Sequence, residues 1–358
     1  MINEVTKFED LGYDDFFELK RKSLEAEYSI ARVIAEYKES YRIKDIKGEY
    51  LAKITGKQIF NATKREDYPA VGDWVAITMP DKEMAIIHEI LPRKTILRKK
   101  YNNRQGIQII ATNIDTAFIV ESVGRDYNLN RFERYIVLAK EGKIKPVIIL
   151  NKIDLISEEE SNLKINEIKE RFDNVDVIPT SIITEQGLNE LINCIEKRKT
   201  YCFLGSSGVG KSSLINKLLG KNEIETKEIS NLTGRGKHTT TTREMYFLKN
   251  GGIVIDNPGT REVGIADAKS GIDDVFDEII ALSENCKYAD CTHTHESGCA
   301  VLKAVETKKL DEDKYLNYIR LKKESDYYEM TDIEKRGKDR KFGQFVKKSL
   351  GQFKKIKP

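Results

Sequence analysis

The sequence predicts a multi-domain chain: an OB-like β-barrel, then a parallel α/β domain, then a mostly helical C-terminal domain. Three observations carry that prediction. Short β-branched runs broken by Gly-Asp and Pro-Asp turns fill residues 28–98. Across residues 114–264, strand-sized apolar runs alternate with amphipathic helical spacing, the signature of a parallel sheet covered on both faces. Beyond them, three of the five cysteines (Cys286, Cys291 and Cys299) fall within fourteen residues that also hold two of the four histidines.

Global properties set the outer limits. A chain of 358 residues has room for two or three hydrophobic cores. Charged residues make up 33% and apolar residues 39%, a soluble balance, and the formal net charge of +3 requires any nucleic-acid surface to be local. No apolar run has the length of a membrane span, and residues 1–10 lack the basic-then-apolar layout of a signal peptide. A cytoplasmic monomer with no membrane partner is expected.

Residues 1–27, acidic and aromatic, read as an N-terminal extension of one helix. Residues 28–98 form the barrel, with strands over 28–35, 49–55, 73–78 and 84–90 in a total of about five. An SH3-like barrel would read much the same. Residues 93–104 carry six basic residues and no acidic one, a solvated hinge or the edge of a nucleic-acid surface. The α/β domain spans 99–267, with strands over 115–121, 147–150, 175–178 and 201–204 and helices over 129–139, 158–172 and 188–195. Residues 268–330 are helical around the Cys/His cluster. The tail, 331–358, is basic: from Lys335 onward it holds ten basic residues and one acidic, interleaved with Phe342, Phe345 and Phe353. A basic amphipathic helix and a disordered arm both fit it.

The chemistry is concentrated in the α/β domain. Gly205, Ser206, Ser207, Gly208, Val209, Gly210, Lys211 and Ser212 complete a phosphate-loop pattern, with an apolar strand before it and a helix from Ser213 after it. Glycines let backbone N–H groups close around phosphates, Lys211 brings charge to the β- and γ-phosphates, and the Ser212 hydroxyl is placed to ligate Mg²⁺. The helix N-terminus favours the same anion. Asn151, Lys152, Ile153 and Asp154 form the guanine-reading pattern Asn-Lys-x-Asp at a strand end. The Asp154 carboxylate can accept from N1–H and the 2-amino group of guanine, which adenine does not offer. Ser181, after the next strand, occupies the base-capping loop. Asp256 and Gly259 follow an apolar strand as the γ-phosphate-sensing Asp-x-x-Gly, with Asp256 in the Mg²⁺ shell. Between these elements four threonines run from Thr239 to Thr242, and Thr240 or Thr241 should complete the Mg²⁺ coordination. His238 is the candidate for positioning the attacking water, since no glutamine is near.

Guanine reading normally follows the phosphate loop along a chain. Here Asn151–Asp154 precedes Gly205–Ser212, so the domain is a circularly permuted P-loop GTPase. Cys286, Cys291, Cys299 and one of His293 or His295 make a four-ligand set for one structural Zn²⁺ with no open position. Cys194 and Cys202, in apolar-patterned stretches, are expected to be inert core thiols.

With these motifs the chain resembles the ribosome small-subunit-dependent GTPase A (RsgA) family over nearly its whole length. The resemblance rests on the permuted order, on Gly72-Asp73-Trp74-Val75, on residues 234–241, and on Cys286 to His293 running on to Gly298-Cys299. It implies an OB-fold RNA-binding domain, GTP hydrolysis to GDP stimulated by the 30S subunit, and a place in late 30S maturation on 16S rRNA. It also implies His293 as the zinc ligand and strengthens His238. Asn257 and Thr260 depart from the family pattern. A module that holds GTP as a structural ligand during assembly is the competing reading; a small-molecule kinase is disfavoured by Asp154.

Overall fold

The computed structural model describes residues 7–24, 27–81, 83–100, 107–124, 127–220, 224, 243–257, 264–265, 268–330 and 334. A 3-10 turn (Phe8–Leu11) and helix α1 (Asp15–Arg21) open the chain. This replaces the single helix expected there. The reason is aromatic: Phe8, Tyr13 and Phe17 all pack against the fully buried Trp74 ring, at centroid distances of 6.3, 4.8 and 5.9 Å.

Five strands follow: β1 (Ser29–Glu36), β2 (Tyr41–Lys44), β3 (Glu49–Ile54), β4 (Trp74–Thr78) and β5 (Met84–Ile90), with α2 (Gly56–Asn61) after β3. β1 pairs with β2, β2 with β3, β3 in parallel with β5, β5 with β4, and β4 back with β1. That circuit closes the expected barrel. Alternation sets its two cores. Ala31, Val33, Ile43, Val75 and Ile87 fill the interior, while Ile30, Trp74 and Ala76 face the N-terminal aromatics.

The basic segment, read as a hinge or as the edge of a nucleic-acid surface, is not a hinge over its described part. β6 (Ile96–Lys100) pairs with β7 (Ile107–Thr112), an unexpected hairpin between barrel and α/β domain. Arg93 turns inward onto Asp73, which is fully buried, with bonds of 2.8 and 2.7 Å. Residues 101–104 lie outside the described residues.

The α/β sheet contains β8 (Thr116–Ser122), β9 (Lys145–Asn151), β10 (Asp176–Thr180), β11 (Thr200–Leu204), β12 (Glu244–Phe247) and β13 (Ile253–Asp256). In space the order is β10-β9-β8-β11-β13-β12, parallel throughout except β12. The unexpected β12 also meets barrel strand β1 at Ala35 opposite Glu244, making one sheet of eleven strands. Its helices are α3 (Leu129–Glu141), α4 (Glu158–Arg171), α5 (Leu188–Asn193) and α6 (Lys211–Leu219). Chain order reverses direction across β8 and β11, so the crevice beyond their C-terminal ends is the switch point where ligands bind in such sheets.

The C-terminal helices are α7 (Lys269–Val275), α8 (Asp277–Ser283), α9 (Ala300–Glu306) and α10 (Glu312–Glu329). They share a core with the sheet: Ile272, Phe276, Tyr318 and Leu321 join Phe132, Ile136 and Ile255. Polar ties reinforce it. Arg134 makes a two-pronged pair with Glu324 (2.9 and 2.8 Å), and Glu324 also accepts the Ile265 N–H. Arg32, 1% exposed, donates to the carbonyls of Leu11, Gly72 and Asn113 and to Thr200 Oγ1, locking N-terminal turn, barrel and sheet together. Cys202 is buried as expected, but Cys194, just after the short α5, is exposed, because only one face of that helix meets the sheet. Among the described residues no helix is long and apolar enough to cross a membrane.

Candidate functional site

The phosphate loop leaves β11 at the switch point. Gly205 has φ of +139°, and a Cβ there would stand 2.1 Å from the Val120 carbonyl oxygen. Gly210 has φ of +103°, and its Cβ would stand 2.3 Å from Asn151 Nδ2. Both positions therefore require glycine, one against β8 and one against the guanine-reading segment. Ser207 and Gly208 are exposed at the mouth, while Val209 anchors the loop in the core. Ser212 and Ser213, half-buried, form the first turn of α6, whose N-terminus faces the loop.

Lys211 lies inside this loop, 8% exposed, with Nζ donating to the carbonyls of Gly205 and Ser206, both at 2.7 Å. Burial pushes its pKa down to about 8, against the pull of Asp256 and Glu121. Asp256 ends β13, 5% exposed, and burial raises its carboxyl while Lys211 opposes that rise. Asn257 is 1% exposed, and neither polar atom of its side chain has a hydrogen-bond partner.

The two motifs that the chain presents in reversed order meet here. Asn151, fully buried, donates from Nδ2 to the Val209 carbonyl at 2.8 Å, and Lys152 Nζ donates to the Gly208 carbonyl at 2.6 Å. Thr180 Oγ1 donates to Asn151 Oδ1 at 3.0 Å and fixes that amide. Ile153 is buried and Asp154 is exposed. The Asp154 carboxylate is tethered from below: Ser181 Oγ, in a fully buried residue, donates to its Oδ1 at 2.5 Å and accepts from the N–H groups of Ile183 and Thr184. An exposed acceptor with a buried tether suits a group that must meet a flat base edge in one orientation. His238, Thr240, Thr241 and Gly259 lie outside the described residues.

The second cluster surrounds α9. The ligand atoms of Cys286, Cys291, His293 and Cys299 all lie within 4.8 Å of one another. Cys286 Sγ is 3.9 Å from Cys299 Sγ, and His293 Nδ1 is 3.6 and 3.5 Å from those two sulfurs. A zinc tetrahedron with Zn–S near 2.3 Å has edges of about 3.5–3.8 Å, so the donor set fits one Zn²⁺. His293 is 4% exposed, and burial, then the charge of Lys322, holds its imidazole below its usual pKa, in the neutral form that ligates. His295, the alternative, is exposed and bonded to Thr294. Tyr315 donates to the His293 carbonyl at 2.7 Å, tying the cluster to α10.

Three features of the site were not anticipated from sequence. From sequence Thr180 and Ser181 read only as part of the base-capping loop, not as the clamp on Asn151 and the tether of Asp154. Glu121, at the end of β8, is a fully buried carboxylate beside the phosphate loop. A charged residue closing an apolar strand at the ligand end of the sheet was the available signal.

The family model for RsgA GTPase matches residues 90–266. The small ribosomal subunit biogenesis GTPase RsgA 1 of Bacteroides thetaiotaomicron is 40% identical over 350 residues, 97% of each chain. Among solved structures, YjeQ from Thermotoga maritima superposes with a TM-score of 0.60 at 26% identity, covering 82% of this chain and 97% of the other. YloQ, described as a circularly permuted GTPase, superposes at 0.58 with 25% identity, covering 86% and 99%.

Proposed function

The chain belongs to the RsgA family of GTPases, and on that premise we propose that it acts on the small ribosomal subunit during late maturation, hydrolysing GTP to GDP and phosphate faster on the 30S particle than alone. The observation that carries the nucleotide reading is the pair of bonds from Asn151 and Lys152 to the phosphate-loop carbonyls of Val209 and Gly208. They join base-reading and phosphate-binding elements into one pocket despite the permuted chain.

In that pocket Asp154 reads guanine, oriented by Ser181, while Asn151 and Lys152 brace the loop. Lys211 exchanges the carbonyls of Gly205 and Ser206 for phosphate oxygens when nucleotide enters. Ser212 and Asp256 would hold Mg²⁺, together with Thr240 or Thr241; bound there, the ion neutralises charge on the β- and γ-phosphates. Gly259 N–H would meet the γ-phosphate, and His238 is the group proposed to position the attacking water. Cys286, Cys291, His293 and Cys299 would hold one structural Zn²⁺. The barrel and the basic tail supply the contacts to 16S rRNA, through phosphate charge and base stacking. A cytoplasmic location follows from that partner.

Phosphate release measured with and without 30S subunits tests the reading. Stimulated turnover is expected; nucleotide-dependent 30S binding without turnover would favour a module that keeps GTP as a structural ligand. ATP competing with GTP at similar concentration would overturn the role of Asp154.

A further inference from the structure

The crevice between β8 and β11 holds a carboxylate that the nucleotide reading does not use. Glu121 is fully buried at the nucleotide end of β8. Its Oε1 lies 3.5 Å from Ser206 Oγ, and its Oε2 has no hydrogen-bond partner. Ser206 is the second residue of the phosphate loop, and its carbonyl is already held by Lys211. A buried carboxylate with an orphan oxygen is costly unless it is paired or takes a proton, so its presence beside the phosphate loop calls for an explanation.

The charged and titratable groups around it come from three directions. Arg131 and Tyr135 face it from α3, and Lys211 and Ser206 from the phosphate loop and α6. Asp256 on β13 competes with it for Lys211. On its other flank β9 brings only uncharged residues into register, Leu150 beside Glu121 and Asn151 beside Ser122. Burial pushes the Glu121 carboxyl up to about 7, in spite of the pull of Arg131, Lys211 and the Ser206 bonds.

We infer that Glu121 is a positioning residue of the phosphate loop, holding Ser206 and opposing the entry of phosphates with its own charge. The inference rests on the phosphate-loop reading above. Lys211 is the cation that Asp256, Glu121 and an incoming phosphate must share. When phosphate oxygens take it, Glu121 loses an attraction that favoured its ionised form and gains anionic neighbours in a low-dielectric crevice. It then takes a proton from solvent onto a carboxylate oxygen. Nucleotide binding and proton uptake at Glu121 are one linked event, and affinity falls as pH rises through the Glu121 range.

The test is the pH profile of GDP affinity of the full chain, wild type beside Glu121→Gln, from about pH 6 to about pH 8. Glutamine keeps the acceptor toward Ser206 and the side-chain volume but carries no charge. The nucleotide's own ionisation is common to both proteins and cancels in the comparison. The expected result is that wild-type affinity falls about tenfold more than that of E121Q across this range, with E121Q the tighter binder at the alkaline end. Parallel profiles would overturn the inference. Should E121Q fail to fold, Ser206→Ala decides. Removing the hydroxyl withdraws a bond that favours the carboxylate, so the inflection must move to higher pH, and an unmoved inflection overturns the inference. Wild-type protein that bound no GDP at any pH would overturn the phosphate-loop reading and this inference with it.

Discussion

Replacing Ser181 by alanine tests the proposed guanine end of the site. The hydroxyl donates to Asp154 Oδ1 at 2.5 Å and accepts from the amides of Ile183 and Thr184 at 3.2 and 3.1 Å. A hydrogen bond to a charged group contributes about 1.5–3 kcal/mol. Asp154 is exposed, so water replaces part of the lost bond in the empty protein. In the bound state the carboxylate must keep one orientation against the base, and there water is no substitute. The low end of the range, about 1.5 kcal/mol, therefore falls on binding, which is about tenfold in the dissociation constant. The two amide bonds order the loop in both states and appear in folding stability instead, at about 1 kcal/mol each. Titration with a fluorescent GDP analogue, run beside urea unfolding, separates these effects. Ser181→Ala is expected to bind GDP about tenfold more weakly and to unfold at slightly lower urea. Affinity within about twofold of wild type, with stability lowered, would show that the hydroxyl supports only the loop and does not tether the carboxylate.

Zinc removal gives a second expectation: the purified chain should release one zinc per molecule to a chelator, with loss of thermal stability because His293 is tied to α10 through Tyr315. Cys291→Ser should reproduce that loss and the missing zinc, while GDP binding persists. Arg171→Ala removes the charged partner of Glu133, whose side chain is fully buried, leaves only the Asn317 amide on that carboxylate, and should cost about 3 kcal/mol in urea unfolding. Burial already holds the Glu133 carboxyl above its ordinary value of 4.5, against Arg171 and Asn317. The folded chain thus keeps a proton that the unfolded chain has released, and this contribution to stability is lost as pH rises from 4.5 through the folded value. The penalty of Arg171→Ala should accordingly be larger near pH 8 than near pH 5. Finally, 30S affinity should fall with added salt, and removing residues 335–358 should flatten that slope; an unchanged slope would take the basic tail out of the RNA contacts.

The parts of this molecule that could be read from sequence are those whose chemistry is written in neighbouring residues. The phosphate loop, the Asn-Lys-x-Asp segment and the Cys/His cluster each carry their requirements within a few positions, and β-branched runs marked the barrel. What escaped depends on residues far apart in the chain. Arg93 reads as solvated charge until Asp73, held by Thr112 and Ala70, is seen to receive it. The N-terminal aromatics read as helix because nothing nearby announces Trp74 as their partner. β12 is four residues long, too short for a pattern, and exists because β13 and the barrel offer it edges. Cys194 reads as core on the apolar residues beside it, yet it caps the end of α5 and is exposed. Glu121 is the sharpest case, since alternation counts it as one more strand residue and says nothing of what stands over it.

The buried Arg32 bears on how the molecule is made. Its hydrogen-bond partner Thr200 lies 168 residues further along the chain. The barrel ends at Ile90 and β11 begins at Thr200; at about 5–20 residues added per second, the barrel emerges during synthesis about 5–20 s before the strand that completes its lock. Through that interval the guanidinium has the Leu11 and Gly72 carbonyls but lacks the Thr200 hydroxyl that completes its set of acceptors. Asn151 likewise waits for Val209, 58 residues later. The nascent chain can neither complete this seam nor join its Asn151 segment to the phosphate loop until β11 and the loop that follows it have been made. A partly made chain is thereby kept from behaving as a loaded switch.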